Sequence, residues 1–510
     1  MIMKASPFFS KDEHAIRSRE IFFRNLGPTA VVNLSALRKE ELFPDATGPA
    51  LLFFSRCALL EKNDRLLVGS IPWTPDFRRN GVFHIGPGEL KTVSLDRVLK
   101  TPAILKAATF GTIRDGWLIE KLERSFSTLD DMLTEAGILK EKSRGQGYQV
   151  KGDANLPPKR FYSLLVLEPE GYTPLRLNAA ALIPFVLSTL HRPRESSIYR
   201  GPLLICPKGS FKKAIAPGRY SAAVRQADML YTESFYGISF ADHEADWAHA
   251  ISGVLNSSLT VFQFAFGGGV WGLERPTVEP NDLLSIRIPN LATTESSLVR
   301  AVADAERTLA SDPENLDSLL ALDEAVFNLY ELDRDEAVIA RESVQRARMF
   351  LFEGSKQRME FIQPPTQDVL AAYAGEVVQV VNTYLRALGK RHLEAVVYPR
   401  AIQQANLTSG TPGIAAVRFA MQPGAPRKKA QVRLGHESDL EQLTTLLRGQ
   451  INSEVSPYLN ERRQLRIYTD NDLCILKPAE VRYWTRTTGI NDADVILADH
   501  WIKDGHASCA

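Results

Sequence analysis

Along KDEHAIRSREIFFRNL, apolar positions recur every three to four residues behind a Ser10/Glu13 capping box and before a Gly27-Pro28 stop, which predicts an amphipathic helix over 11–26. Two continuous apolar runs follow, Ala30–Leu34 and Ala50–Phe54, the pattern of strands covered on both faces. Between them, 35–48 is predicted to hold a short helix turning Leu37, Leu42 and Phe43 inward. Helix, strand, helix, strand is the order found at the tail of a doubly wound α/β sheet, and a complete sheet of that kind needs further strands. Val31, Leu51 and Phe53 are therefore expected along an open edge that invites a partner.

From 62 to 160 the pattern mixes short strands, turns such as Gly86-Pro87-Gly88, and one helix around Trp117–Leu122, ending in a glycine-bearing loop, Ser143–Tyr148, expected as a hinge. Phe262, Phe264 and Phe266 alternate, as in a half-buried strand or at a helix end, and are expected in the core. Pro313 opens a helix with Leu319, Leu322, Val326, Leu329 and Tyr330 inward, and helical patterns continue to Leu388. A Gly/Pro-rich basic stretch, 410–433, is expected as a linker before strands near 465–468 and 473–476. The predicted fold class is α/β plus α: a partial doubly wound sheet tail (1–60), a mixed α/β region (61–300), a helical region (301–409), the linker, and a small α/β domain (434–510).

Composition narrows the function classes. The 510 residues are 44 % hydrophobic and 24 % charged, which excludes a disordered, collagen-like or coiled-coil chain. Four cysteines, Cys57, Cys206, Cys474 and Cys509, form no C-x-x-C pair, so a reducing cytoplasm is expected rather than a disulfide or zinc framework. The first residues have no apolar signal core, and the longest greasy run, 179–190, is broken by Pro184, so neither secretion nor a membrane span is expected. The densest histidine group, Asp242, His243, Glu244 and His249, lacks the i, i+4 spacing of two imidazoles on one helix face, and no metal site is expected.

Charge changes the picture more. The total is only +1, but residues 191–226 carry Arg192, Arg194, Arg200, Lys208, Lys212, Lys213, Arg219 and Arg225 against Glu195 alone, with Tyr199, Phe211 and Tyr220 interleaved. Residues 301–340 do the reverse, with eleven acids against Arg307 and Arg334. A basic window with aromatics can neutralise phosphates and place donors at base edges, or be a solvated basic face. Arg192, Arg194, Arg200, Lys212 and Lys213 are the first candidates for DNA contact, followed by Lys208, Arg219 and Arg225. The loop residues Arg144, Gln146, Tyr148 and Lys151 form a second candidate set, since glutamine pairs with adenine and glycines admit a close backbone approach.

No P-loop, G-x-G-x-x-G turn, G-x-S-x-G elbow or H-E-x-x-H is present. Pro75-Asp76 followed by Glu89-Leu90-Lys91 has the acid, acid and lysine of a metal-dependent nuclease, and equally of a charged turn. Trp484, between Arg482 and Arg486, fits a strand with one aromatic face inward.

Read in order, Val31-Val32-Asn33-Leu34-Ser35, Leu42-Phe43-Pro44-Asp45-Ala46 and Pro49–Phe53 resemble the closing strands of the methyltransferase domain in adenine-N6 DNA methyltransferases of restriction-modification and phage-defence systems. Leu255–Leu259, Val270–Pro276, Asp282-Leu283-Leu284 and Ile286–Pro289 resemble the specificity region of the same enzymes, and Leu322–Leu332 the helix after it. The resemblance runs in family order over roughly residues 6 to 345. It departs at the chemistry: the sequence has neither the glycine loop for S-adenosylmethionine nor an N-P-P-Y tetrapeptide, and Leu156-Pro157-Pro158-Lys159 supplies only the prolines. The resemblance thus implies a cytoplasmic target-recognition subunit that binds double-stranded DNA. It implies no catalytic or cofactor residue in this chain, with S-adenosylmethionine and methyl transfer on a partner subunit. A metal-dependent nuclease using Asp76, Glu89 and Lys91, or a truncated inactive methylase remnant, are the alternatives.

Overall fold

The computed structural model describes residues 1–10, 13–37, 48–59, 61, 64–74, 77, 81–82, 85–208, 219–267, 277–351, 360–402, 413–427, 430–435, 464–469 and 471–499. The architecture is mixed α/β with a helical section, the class that the pattern predicts.

Strand β1 (Ile2–Lys4) precedes helix α1 (Glu13–Leu26) and strands β2 (Pro28–Asn33), β3 (Ala50–Ser55), β4 (Arg65–Ser70) and β5 (Leu90–Ser94). They form one sheet in the order β1-β3-β2-β4-β5, in which only β2 and β4 run parallel. Val31, Leu51 and Phe53, expected along an open edge, lie instead on inner strands, since β1 pairs with β3 and β4 with β2, and their side chains are buried in one core with Phe8 and Phe23. The edges are β1 and β5. The helix expected between the two strands begins as a single turn over Ser35–Leu37, and Leu42 and Phe43 lie outside the described residues.

Helices α2 (Ala103–Phe110) and α3 (Ile113–Ser125) pack beside this sheet, α3 opened by a capping box in which Thr112 Oγ1 and Asp115 exchange hydrogen bonds. Next comes a β-rich unit: β6 (Arg144–Gln146), β7 (Leu165–Leu167), β8 (Ile183–Pro184), β9 (Leu203–Pro207), β10 (Ala223–Arg225), β11 (Leu230–Tyr231) and β12 (Phe235–Ser239). Its two sheets have the orders β10-β9-β12-β6 and β11-β7-β8, around an aromatic core of Tyr148, Phe161, Phe185, Tyr199 and Tyr231. The loop expected as a hinge is therefore partly strand β6, paired with β12 at Gln146↔Tyr236 and Arg144↔Ile238.

Helix α4 (Ala245–Asn256) leads into a short helix, Ser258–Phe262, that continues as one π-type turn through Gly267. Phe262, Phe264 and Phe266 are core residues as expected, and of the two placements the alternation allows they take the helical one. Helices α5 (Ser296–Ser311), α6 (Leu316–Leu329) and α7 (Arg334–Leu351) complete the middle of the chain. In α6, Leu319, Leu322, Val326 and Leu329 are buried, with Tyr330 just beyond, as the periodicity predicts. One continuous apolar core joins the N-terminal sheet, the helices and one face of the β-rich unit from Ala5 to Ala340.

Helix α8 (Gln367–Leu388) ends on Gly389, whose φ of 71° lies in the left-handed region that glycine enters without cost. It packs on the sheet β15-β13-β14-β17-β16, built from β13 (Arg391–Ile402), β14 (Ile414–Pro423), β15 (Val432–Leu434), β16 (Leu465–Tyr468) and β17 (Asp472–Pro478), together with helix α9 (Arg486–Ala498). The expected linker over 410–433 thus contains the middle strand of this sheet; its Gly/Pro residues flank β14, whose alternation of small and branched residues is the signal that matters. Trp484 is fully buried against Tyr373 and donates its indole N–H to Pro478 O at 3.0 Å.

Among the described residues no single helix is long and apolar enough to cross a membrane; the bent pair Asp242–Asn256 and Ser258–Gly267 passes on length and composition, and its residues from Ala250 on are buried within the protein.

Candidate nucleic-acid interface

The cations of the basic window divide by what their side chains touch. Arg219 is buried and donates two hydrogen bonds, at 2.8 and 2.7 Å, to the Asp323 carboxylate on α6. It ties the β-rich unit to the acidic helix, so part of the charge opposition in the sequence is satisfied inside the molecule. Lys208 pairs with Glu279 at 3.2 Å. Arg144 is buried too, with Nε donating to Ile138 O at 2.8 Å, Nη2 to Thr134 Oγ1 at 2.9 Å, and Nη1 to the Asp130 carboxylate. Arg144 and Arg219 are buried and held by the Asp130 and Asp323 carboxylates, and the expectation that they reach DNA is corrected on that ground; Lys208, half-buried and paired with the exposed Glu279, stays a candidate. Tyr148 is likewise core: its ring meets Phe185 edge-on at 5.8 Å, and burial pushes its phenol well above the usual range.

The remaining candidates lie on the rim of the β-rich unit. Lys151, Arg192 and Arg200 are exposed, while Gln146, Arg194 and Arg225 are half-buried. Lys151 and Arg192 are held near one another, because the backbones of Gln149 and Arg192 exchange hydrogen bonds at 3.0 and 3.2 Å. Arg194, in the left-handed region at φ 68°, turns its Nε toward Gly147 O at 3.4 Å. Gly147 is required there, since a Cβ would lie 2.1 Å from Tyr231 O. At the other end of the same segment, Arg200 precedes the cis Gly201-Pro202 bond and Arg225 faces Leu203 across the β9–β10 pair. Gln146 Nε2 donates to Glu233 O at 2.8 Å, which occupies one of its two amide protons. Lys212 and Lys213 lie outside the described residues.

Sequence reading missed the exposed apolar residues of this unit: Leu156, Tyr162, Ile183 and Val186 all face solvent, Leu156 at 83 % and Val186 at 79 %. Only the strand and turn geometry shows which way such residues face. Exposed Lys159 and Arg176 also belong to it, outside the window that charge counting picks out.

The nuclease pattern is placed differently. Glu89 Oε1 accepts from Arg482 Nη1 at 3.0 Å and Oε2 from the Gly86 amide at 2.5 Å, so a guanidinium sits where a divalent ion would need the carboxylate. Lys91 Nζ donates to Gly88 O at 3.1 Å, and burial pulls its pKa down to about 8. Asp76 lies outside the described residues, and among those described no group of three metal-ligating side chains comes together.

No protein-family model matches this sequence, and no curated protein matches it. Among solved structures, the chain is similar to the type IIG restriction endonuclease BpuSI, with 12 % identity and a TM-score of 0.28 over 69 % of this chain and 46 % of that one. It is also similar to the type IIL restriction-modification enzyme MmeI, solved in complex with DNA, with 11 % identity and a TM-score of 0.35 over 68 % of this chain and 49 % of that one. The chain thus spans about half the length of either protein.

Proposed function

We propose that the chain is the DNA-binding target-recognition component of an adenine-N6 DNA methyltransferase in a restriction-modification or phage-defence system, with methyl transfer performed by a partner that carries S-adenosylmethionine and an N-P-P-Y motif. The observation that carries this reading is the rim of the β-rich unit, where Lys151, Arg192 and Arg200 are exposed and Arg194 and Arg225 lie half-buried beside them. Main-chain pairing at Gln149–Arg192 and Leu203–Arg225 fixes their spacing, as a duplex with regularly spaced phosphates requires. Phosphate contacts set register, and Gln146, with one amide proton still to donate, is the side chain suited to a base edge. The sequence resemblance, in family order, supplies the adenine-N6 chemistry and assigns it to the partner.

The partner does not dock on Val31, Leu51 or Phe53, which are covered. The N-terminal unit offers Ile2, Ile21, Phe54 and Leu59, all exposed, as apolar surface for that contact. Co-expression with the catalytic partner tests the division of labour: site-specific adenine methylation requires both chains, and methyl transfer from labelled cofactor by the purified lone chain overturns it.

A further inference from the structure

A cavity of about 90 Å³ lies where β4 and β5, the α2–α3 turn, α7 and the start of α9 meet. Since one water needs roughly 10–15 Å³ on this measure, the cavity has room for a ligand of several heavy atoms. Its walls are mainly apolar, with Phe110 and Phe361 among them, and carry a few charged and hydroxyl groups.

Three of those polar groups are buried and lack a hydrogen-bond partner at one atom: Arg346 Nε, Arg482 Nη2 and Thr487 Oγ1. Their other atoms are well satisfied. Arg346 holds Asp115 with both terminal nitrogens at 2.6 and 2.7 Å, and Arg482 donates to Glu480 at 2.6 Å and Glu89 at 3.0 Å. The backbone N–H of Thr487 donates to Glu342 at 2.7 Å, which leaves its hydroxyl alone. Leaving a buried donor unmade is costly, and three such atoms border this one cavity. Both guanidinium atoms can only donate, so the missing partner is an acceptor, and the carboxylates that fix these arginines hold them in place for it. Lys91, which donates to Gly88 O, is a third cation on the wall, and Glu89, already held by Arg482, is a carboxylate on it.

We propose that this cavity is a site for a small phosphate-type oxyanion, its oxygens accepting from Arg346 Nε, Arg482 Nη2 and Thr487 Oγ1. The anion is either free phosphate or the phosphate of a nucleotide whose ring lies along the apolar wall. The site joins the N-terminal sheet to the C-terminal unit across residues nearly four hundred positions apart in sequence, so its occupancy would clamp the two together.

The test is calorimetric titration of the full chain, in a chloride buffer free of phosphate, with inorganic phosphate and separately with adenosine monophosphate. Saturable binding of both with similar affinity identifies free phosphate; binding of the nucleotide about tenfold tighter than phosphate, at least 1.4 kcal/mol, identifies a nucleotide. No saturable binding of either at millimolar concentration, or a thermal shift that any salt reproduces, overturns the proposal. Arg482→Gln breaks two ion pairs and risks the fold, so the decisive variant is Thr487→Val. Removing a buried hydroxyl without a partner leaves the unliganded protein as stable as before or more so. Phosphate affinity should nonetheless fall about three- to tenfold, and equal affinity in the variant refutes the assigned contact.

Discussion

Arg219 and Arg200 stand nineteen residues apart in the same basic window, yet the structure gives them opposite roles, and that difference can be measured. In Arg219→Ala, the Asp323 carboxylate, fully buried, loses two hydrogen bonds and keeps the Ser258 amide at 2.9 Å, with Arg341 Nε the nearest remaining cation at 4.0 Å. Stranding one member of a buried pair costs about 3–5 kcal/mol. Denaturant unfolding followed by tryptophan fluorescence should show this loss, and Arg219→Met combined with Asp323→Leu should recover most of it. Arg200→Ala, by contrast, should change stability by less than about 0.5 kcal/mol. It should weaken duplex binding and lower the slope of log affinity against log salt by about one. An Arg219→Ala protein that keeps its stability but loses a unit of salt slope would refute the assignment.

Three further outcomes follow from other parts of the structure. Burial lowers the Lys91 pKa to about 8 while the unfolded chain keeps an ordinary lysine near 10.4, so the unfolded state binds more protons between these values and stability rises with pH across that window. Lys91→Met should abolish that rise, and an unchanged pH profile of unfolding would contradict it. Cys57 is exposed, whereas burial raises the thiol of Cys474 to about 12 and that of Cys206 higher still. Mass-spectrometric mapping should therefore find Cys57 alkylated in the native protein and the other two only after unfolding; native labelling of Cys206 at the rate of Cys57 would be the contrary result. Gly147→Ala forces a methyl group against Tyr231 O and Thr232 O and should cost about 1–3 kcal/mol, with local distortion that also weakens duplex binding; a neutral effect on stability would argue against so close an approach of these backbones.

The fold was legible where periodicity and burial agree. Helix α1 and the inward face of α6 follow directly from their apolar spacing and end signals. Helix α2 gives no such signal, because it is buried on every side and a helix covered all round has no polar face to mark its period. Strand β1 is three residues long, too short for any pattern, and yet it takes the edge position beside β3, so that Leu51 and Phe53 lie on an inner strand. Phe262, Phe264 and Phe266 alternate in sequence yet sit in helical backbone, and all three are core because every residue from Ser258 to Gly267 is buried, so that no polar face marks the helix period. In the candidate site, the charge window marks one segment of the β-rich unit but cannot separate surface from buried cations. That separation depends on Asp323 and Asp130, and Asp323 lies 104 positions from the arginine it holds. The cavity is less legible still, since nothing local links Arg482 to Glu89 across 393 positions.

The most direct test of the account is fluorescence-anisotropy titration of the purified chain with duplex DNA across a series of salt concentrations, beside a variant carrying Lys151→Ala, Arg192→Ala and Arg200→Ala together. The account predicts salt-dependent binding by the parent and a slope lower by about two to three units in the variant, at unchanged stability. Binding that is absent at low salt, or equal in parent and variant, would contradict it.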